Sequence, residues 1–223
     1  MLPRYESQIN ELRQMISQIL ERIVTASEMT LNAFNNSEIE KFTGAVSQLK
    51  GLEQEANAID NEVIKTFALF GPEANELRLL VAYLKMTNEI VRIGDGVKKY
   101  ARRMKEHYEG ECDLTPLKAT IVQLHKSTLS ALKYIAECFD HMAECDIDDF
   151  YRKVMVEESK NDDLFAIIEK DILAQIIKSS ELSSEYVRVL GTLRKLERSC
   201  DRSVNIANLM LYAQKGGEMH VYS

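Results

Sequence analysis

The sequence predicts an all-α protein made of two tandem three-helix bundles, with six long helices related by an internal repeat. Three observations support this fold class. The 223 residues include only 9 Gly and 3 Pro and no Trp, which leaves few residues for the many turns of an all-β fold. Apolar residues recur at helical spacing in six long stretches. The second half of the chain also repeats features of the first.

The first three predicted helices occupy roughly residues 5–35, 37–70 and 72–107. The opening stretch carries apolar residues at helical spacing: Ile9, Leu12, Ile16, Ile19, Leu20 and Ile23. The run Ser37-Glu38-Ile39-Glu40 has the pattern of a capping box and predicts the start of the second helix. Gly71-Pro72 predicts the end of that helix and the start of the third.

The last three predicted helices follow a short polar segment at residues 108–115. Pro116 is the expected start of the fourth helix, which runs to roughly Cys145. Asp146 is the expected N-cap of a fifth helix that lasts to about Lys178. A serine-rich turn then precedes a sixth helix that ends before Gly216.

The repeat is visible when the two halves are aligned. An offset of 106 residues pairs Asp95 with Asp201, and an offset of 105 pairs Glu53 with Glu158. Other positions that agree at the larger offset are Arg92 with Arg198, Ala101 with Ala207 and Met104 with Met210. We therefore assign residues 1–110 to a first three-helix repeat and residues 111–223 to a second.

Net charge and cysteine spacing indicate which partners the protein can bind and in which compartment it acts. A net charge of −7 and an isoelectric point near 5.3 argue against nucleic-acid binding and against unaided binding to an anionic membrane. Neither an apolar signal core nor a run of about eighteen apolar residues occurs, so we expect a cytoplasmic protein. The four cysteines have no CxxC or metal-like spacing and are expected to be reduced, small hydrophobic residues: Cys112, Cys138, Cys145 and Cys200.

Sequence signatures of catalysis are absent. The chain has no glycine-rich phosphate loop, no nucleophile elbow and no paired Glu-x-x-His motif of a di-iron site. Glu137 and His141 stand four residues apart, a spacing that an isolated pair on a solvated helix face also shows. The sequence therefore predicts a protein that is not an enzyme.

Two rows of acidic residues are the features that could carry chemistry. Glu158 and Asp162 stand four apart on the fifth helix, and Glu197, Asp201 and Asn205 form a similar row on the sixth. One interpretation is a solvated acidic surface, in which like charges at this spacing cost a few tenths of a kcal/mol. The other is a groove that holds a cation, because carboxylate oxygens suit Mg²⁺, Ca²⁺, Mn²⁺ or iron.

The helical wheel of the sixth helix bears on this choice. Its apolar stripe consists of Leu193, Leu196, Cys200, Val204, Ala207 and Leu211. Glu197 lies at the edge of this stripe, while Asp201 and Asn205 are expected to fan away from it. A polar row that borders the core faces a groove between helices more readily than open solvent.

At these residues the chain resembles the PhoU family. The sixth helix reads LRKLERSCDRSVNIANLM, similar to the family signature LERIGDxxxNIA. The third helix contains Arg92-Ile93-Gly94-Asp95, similar to the first-repeat copy, and Gly71-Pro72-Glu73-Ala74 resembles the loop before it. The resemblance covers essentially the whole chain in register and implies six helices in two repeats.

The resemblance also implies a function. PhoU-type proteins are regulators of phosphate uptake, so we expect an adaptor between a phosphate ABC transporter ATPase and a two-component sensor histidine kinase. Such an adaptor represses the phosphate-starvation response when phosphate is plentiful and reaches the membrane only through protein partners. A homodimer is implied as well. So is a divalent or multinuclear metal, with Fe, Mn, Mg or Zn as candidates.

The resemblance assigns metal-site residues in both repeats. In the second repeat they are Glu158, Asp162, Glu197, Asp201 and Asn205; in the first they are Glu53, Asn57, Glu89 and Asp95. The first repeat departs from the pattern, because Val91 stands at the glutamate position and Lys99 at the asparagine position. We therefore expect the first repeat to bind metal more weakly.

Two other functions remain open at this stage. The same fold could regulate a sodium–phosphate cotransporter, which genomic neighbourhood would distinguish from the adaptor role. The acidic rows could alternatively belong to a carboxylate–metal enzyme, a hydrolase or oxidase, which assays with phosphoesters and O₂ would test.

Overall fold

A computed structural model describes residues 3–217, and these residues confirm the all-α fold class. Seven α-helices follow one another: α1 (Pro3–Asn36), α2 (Ile39–Gln48), α3 (Leu52–Phe70), α4 (Ala74–Tyr108), α5 (Lys118–Asp140), α6 (Ile147–Lys178) and α7 (Ser183–Lys215). Short 3₁₀ turns, Thr115–Leu117 and Ser180–Leu182, precede α5 and α7. Within the described part of the chain there is no β-strand.

The second predicted helix is two helices, because the chain breaks between α2 and α3. Gly51 has a φ of +81°, in the left-handed region that glycine reaches without a Cβ penalty. Arg22 of α1 supports the break: its guanidinium lies 2.8 Å from the carbonyl oxygen of Gln48 and 2.8 Å from that of Lys50. A helix end leaves such carbonyls without partners, and here a side chain satisfies them.

The predicted capping box at Ser37 is wrong. Ser37 has a φ of +59° and ends α1, while the N-cap of α2 is Glu38, whose side chain caps nothing. The Ser37 hydroxyl instead lies 3.0 Å from the hydroxyl of Tyr108, at the end of α4. By contrast, Asp146 caps α6 as predicted, accepting hydrogen bonds of 3.1 Å from the amides of Asp148 and Asp149.

The two halves of the chain share one hydrophobic core. Buried residues of all seven helices belong to a single continuous cluster, and the most extensive packing is between α4 of the first half and α7 of the second. These two helices are antiparallel, because His107 Nε2 lies 2.9 Å from Thr192 Oγ1 while Glu89, earlier on α4, contacts Arg202, later on α7. The domain limits 1–110 and 111–223 stay predictions, and their outermost positions lie outside the described residues.

The expectation of four reduced cysteines is wrong for one pair. Cys138 and Cys145 form a disulfide, with Cα atoms 5.3 Å apart. Cys138 lies in the last turn of α5 and Cys145 directly precedes the N-cap of α6, so the reversal of the chain between the helices brings the two sulfurs together. Cys112 is half-buried and Cys200 is buried, both as free thiols, as expected.

No helix in the described part of the chain combines the length and the apolar character that a membrane span requires.

Candidate metal centre

Carboxylates from α6 and α7 meet on the surface where these helices pack. One oxygen atom from each of Glu158, Asp162 and Asp201 lies within 4.8 Å of the other two. The spacing of four residues places Glu158 and Asp162 on one face of α6, and the adjacent helix α7 supplies Asp201. We call these three side chains, together with Glu197 one turn before Asp201, the carboxylate cluster.

Within residues 3–217, Glu197 is the member of the carboxylate cluster that has an enclosed, unpartnered oxygen atom. Its side chain is half-buried, as its place at the edge of the apolar stripe predicted. Its Oε2 atom is enclosed and has no hydrogen-bond partner among the described residues. An enclosed carboxylate oxygen without a donor is unfavourable, and a proton, an ordered water molecule or a bound cation would satisfy it.

Partial desolvation and repulsion by neighbouring acids raise the pKa of all four carboxyl groups. Desolvation by the surrounding protein is the larger cause in each case, even for Asp162 and Asp201, whose side chains are largely exposed, and the charge of a neighbouring acid adds to it: Asp162 for Glu158, Asp163 for Asp162, Asp201 for Glu197 and Asp162 for Asp201. A raised pKa means that the folded state binds protons more tightly than the unfolded state. The free energy of unfolding therefore falls as pH rises through these values.

Cys200 precedes Asp201 in the sequence, is buried, and does not add a ligand. Burial raises the pKa of its thiol, and the charges of Asp201 and Glu158 raise it further. The thiol therefore stays protonated near neutral pH, whereas a metal ligand would have to be a thiolate. The available donors are carboxylate oxygens, which fit hard cations such as Mg²⁺, Mn²⁺ or iron.

A buried asparagine fixes the position of α6. Asn161 lies between Glu158 and Asp162 in the sequence and is fully buried. Its Nδ2 lies 3.0 Å from the Leu124 carbonyl oxygen, 2.6 Å from Ser127 Oγ and 2.9 Å from Thr128 Oγ1, all on α5.

The same network reaches α7. The Thr128 hydroxyl also contacts the carbonyl oxygen of Leu196, at 3.3 Å, so α5 connects the two helices that carry the carboxylate cluster. Sequence reasoning missed Asn161. The available signal was a polar residue in register with the apolar residues Val154, Phe165, Ile168 and Ile172 of α6.

Asn205 does not fan away from the core as the helical wheel predicted. It lies one turn beyond Asp201 but is buried, with 4% of its surface exposed. The reason is that α7 packs against α4, α5 and α6, so its buried arc is wider than its apolar stripe. Asp201, in contrast, is exposed, as predicted.

The candidate residues of the first repeat are not gathered in the same way. Glu53 and Asn57 are exposed on α3. Asp95 is exposed on α4, where the ammonium of Lys99 lies 3.8 Å from its carboxylate. Glu89 is buried and forms an ion pair of 2.8 Å with Arg202. Within residues 3–217, the only set of three acidic or metal-binding side chains close enough to share an ion is Glu158, Asp162 and Asp201.

The fold and the site together define an all-α protein of two related helical repeats, with a carboxylate cluster in the second repeat. The PhoU domain matches this chain twice, at residues 16–104 and 121–210. The chain belongs to the PhoU family, and the resemblance drawn from its sequence is confirmed.

Relatives with curated names are found in several bacteria. The Escherichia coli K12 protein named phosphate-specific transport system accessory protein PhoU is 25% identical over 215 residues, covering 96% of this chain and 84% of that protein. The Serratia marcescens protein of the same name is 25% identical over 189 residues, covering 85% of this chain and 75% of its own length. These relatives are named as accessory proteins and not as enzymes.

Solved structures share the fold. PhoU from Pseudomonas aeruginosa superposes with a TM-score of 0.86 at 20% identity, over 96% of this chain and 100% of that one. The phosphate transport system regulatory protein PhoU from Streptococcus pneumoniae gives a TM-score of 0.78 at 18% identity, over 98% of this chain and 100% of that one.

Proposed function

We propose that this protein is a cytoplasmic accessory regulator of phosphate uptake. In this role it is a non-enzymatic adaptor that links a phosphate ABC transporter ATPase to a two-component sensor histidine kinase and represses the phosphate-starvation response when phosphate is plentiful. The observation that carries the proposal is the PhoU domain in both halves of the chain. The names of the E. coli and S. marcescens relatives support the link to phosphate transport.

An adaptor acts by binding one state of its partner more tightly than another. The long helices offer broad faces for such binding, and α6 exposes large apolar side chains: Val156, Ile167, Leu173 and Ile177. Exposed apolar residues of this kind favour contact with another protein or with a second copy of the chain, in keeping with the implied homodimer.

We further propose that the carboxylate cluster holds one or more cations, with Mn, Mg, Fe or Zn as candidates. The enclosed oxygen of Glu197 and the convergence of Glu158, Asp162 and Asp201 support this assignment. A bound cation would supply positive charge that offsets the repulsion among the carboxylates and reverses the sign of the local potential. The solvated acidic surface remains the alternative that experiment must exclude.

Because the pKa values of the cluster are raised, the metal proposal predicts that stabilisation by Mn²⁺ depends on pH. We expect saturating Mn²⁺ to raise the melting temperature by roughly 5–10 °C at pH 7.5, since binding to the folded state alone stabilises it by about 2.7 kcal/mol at a hundredfold excess over Kd. At pH 5 protons compete for carboxyl groups of raised pKa, so the shift should be smaller. Differential scanning fluorimetry at both pH values measures this. No shift at pH 7.5 would show that the cluster is a solvated surface, and equal shifts at the two pH values would place bound Mn²⁺ away from these carboxyl groups.

The adaptor role predicts a phenotype and a physical interaction. Deleting the gene should switch on phosphate-uptake genes in phosphate-replete medium, as measured by transcript levels. The purified protein should capture the cognate ATPase or kinase, with an affinity that falls as salt increases, because charged contacts are screened. Unchanged expression in the deletion strain, together with no capture of either partner at low salt, would refute the adaptor while leaving the fold intact.

A further inference from the structure

Positively charged side chains cluster between α4 and α7, beside the helix that also carries half of the carboxylate cluster. Lys99 and Arg103 stand one turn apart on α4, and Lys195 and Arg198 stand one turn apart on α7. We call these four residues the cationic cluster. On the wheel of α7, Glu197 and Asp201 face α6, whereas Lys195 lies toward α4.

Close packing of the two helices brings these residues together. A Cβ atom built on Gly96 of α4 would lie 2.8 Å from the Ser199 hydroxyl and 3.6 Å from the Lys195 carbonyl oxygen of α7. Only a glycine permits this approach without a shift of its neighbours. Gly96 precedes Lys99 by less than one turn, so the approach occurs within the cationic cluster.

Most of the positive charge in the cluster lacks a paired carboxylate. Within residues 3–217, no acidic group lies within 4.0 Å of the charged atoms of Arg103, Lys195 or Arg198, and Lys99 has only Asp95, at 3.8 Å. The other arginines of α7 are paired: Arg188 with Glu185 at 2.9 Å, Arg194 with Glu169 at 2.9 Å and Arg202 with Glu89 at 2.8 Å. Arg198 also interacts electrostatically with Glu197 and Asp201, so the unpaired positive charge of the cluster rests mainly on Arg103 and Lys195.

Lys195 is the centre of this arrangement. Its side chain and that of Arg103 are half-buried. On the antiparallel helices α4 and α7, the contacts of Gly96 with Ser199 and of His107 with Thr192 place Arg103 opposite Lys195. A half-buried cation among three others is electrostatically unfavourable, and an anion bound in their midst would offset that cost.

We propose that the cationic cluster is a binding site for a phosphate-type oxyanion, either free inorganic phosphate or the terminal phosphates of a small molecule such as a nucleoside diphosphate. The size of the cluster favours a small ligand. One helical turn spans about 5 Å, and packed helices lie about 8–10 Å apart. These dimensions suit one or two phosphate groups, whereas a membrane surface or an extended acidic segment would need a longer cationic stripe.

The residue types also suit such a ligand. Arginine donates two parallel hydrogen bonds to an oxyanion, and lysine supplies a mobile point charge. The proposal depends only on these four side chains and not on the adaptor role, so either can fail alone.

Isothermal titration calorimetry on the full chain at low ionic strength tests the site, with inorganic phosphate, pyrophosphate and ADP as separate probes. We expect at least one probe to bind, and Lys195→Gln and Arg103→Gln each to weaken that binding by about tenfold, as expected for loss of a charge-assisted contact. The matched control is Arg188→Gln, which removes the same charge from α7 but from a paired arginine, and it should leave affinity within about twofold. Unchanged circular dichroism would show that each variant is folded.

The pattern among the probes identifies the ligand. Tighter binding of pyrophosphate and ADP than of phosphate would indicate a terminal diphosphate, and equal or tighter binding of phosphate would indicate the free anion; both support the site. The proposal is overturned if none of the three probes binds, or if Arg188→Gln weakens binding as much as Lys195→Gln. It is also overturned if only anionic lipid vesicles or an acidic peptide bind the cluster.

Discussion

Replacing Asp201 with alanine should lower the affinity of the protein for Mn²⁺ on the order of 100-fold, because a metal site depends on each directly coordinating oxygen and on the groups that orient it. Asp201 is the member that α7 contributes to the set of three converging carboxylates, so its loss leaves only the pair on α6. Glu197→Ala should also weaken binding, since it removes the enclosed oxygen beside the set. Elemental analysis after dialysis, followed by competition titration, measures both effects.

The matched control for Asp201 is its counterpart in the other repeat. Asp95 is equally an exposed aspartate on a long helix, but the nearby ammonium of Lys99 opposes a second cation. Asp95→Ala should therefore change Mn²⁺ affinity by less than about twofold. Equal losses from Asp95→Ala and Asp201→Ala, or no metal bound by the unaltered protein, would contradict the assignment of the site to the second repeat.

Replacing Asn161 with alanine should lower the free energy of unfolding by about 3 kcal/mol. The change removes the contacts of Nδ2 with Leu124, Ser127 and Thr128, and it leaves a small void in a fully buried position. For a chain of this size the melting temperature should fall by about 6–12 °C. Chemical denaturation followed by circular dichroism measures the change in free energy.

Asn161 also fixes the position of α6 against α5, so its replacement can be tested by a second measurement, the affinity for Mn²⁺. Its loss should weaken Mn²⁺ binding although it is not a predicted ligand, because Glu158 and Asp162 flank it on the same helix. Lys160→Ala changes the neighbouring exposed residue and should move neither quantity appreciably. A destabilised Asn161→Ala variant that keeps full metal affinity would show that the asparagine network stabilises the fold without positioning the carboxylates.

Local sequence pattern was sufficient for most of the helices. The sequence predicted that α3 ends at Gly71, that α6 begins at Asp146 and that α7 ends before Gly216. Capping residues such as these act on backbone groups only a few residues away, so a local pattern is enough to identify them. The acidic rows were predicted for the same reason, since a spacing of four always shares a helix face. The break at Gly51 also has a local cause, and it went unpredicted because the apolar periodicity continues across it.

The sequence by itself determined which segments are helical, except for the break at Gly51, that they repeat, and which face of α6 and of α7 carries its carboxylates. Only the tertiary structure decided which faces meet: that α6 and α7 bring Glu158, Asp162 and Asp201 together, that Asn205 is covered, and that Glu89 pairs with Arg202. It likewise decided that Cys138 and Cys145 join and that Asn161 binds α5. The physical reason is range: helix formation depends on neighbours three and four residues apart, whereas burial and cross-helix pairing depend on contacts between distant segments, such as Glu89 and Arg202, which are 113 residues apart in the chain.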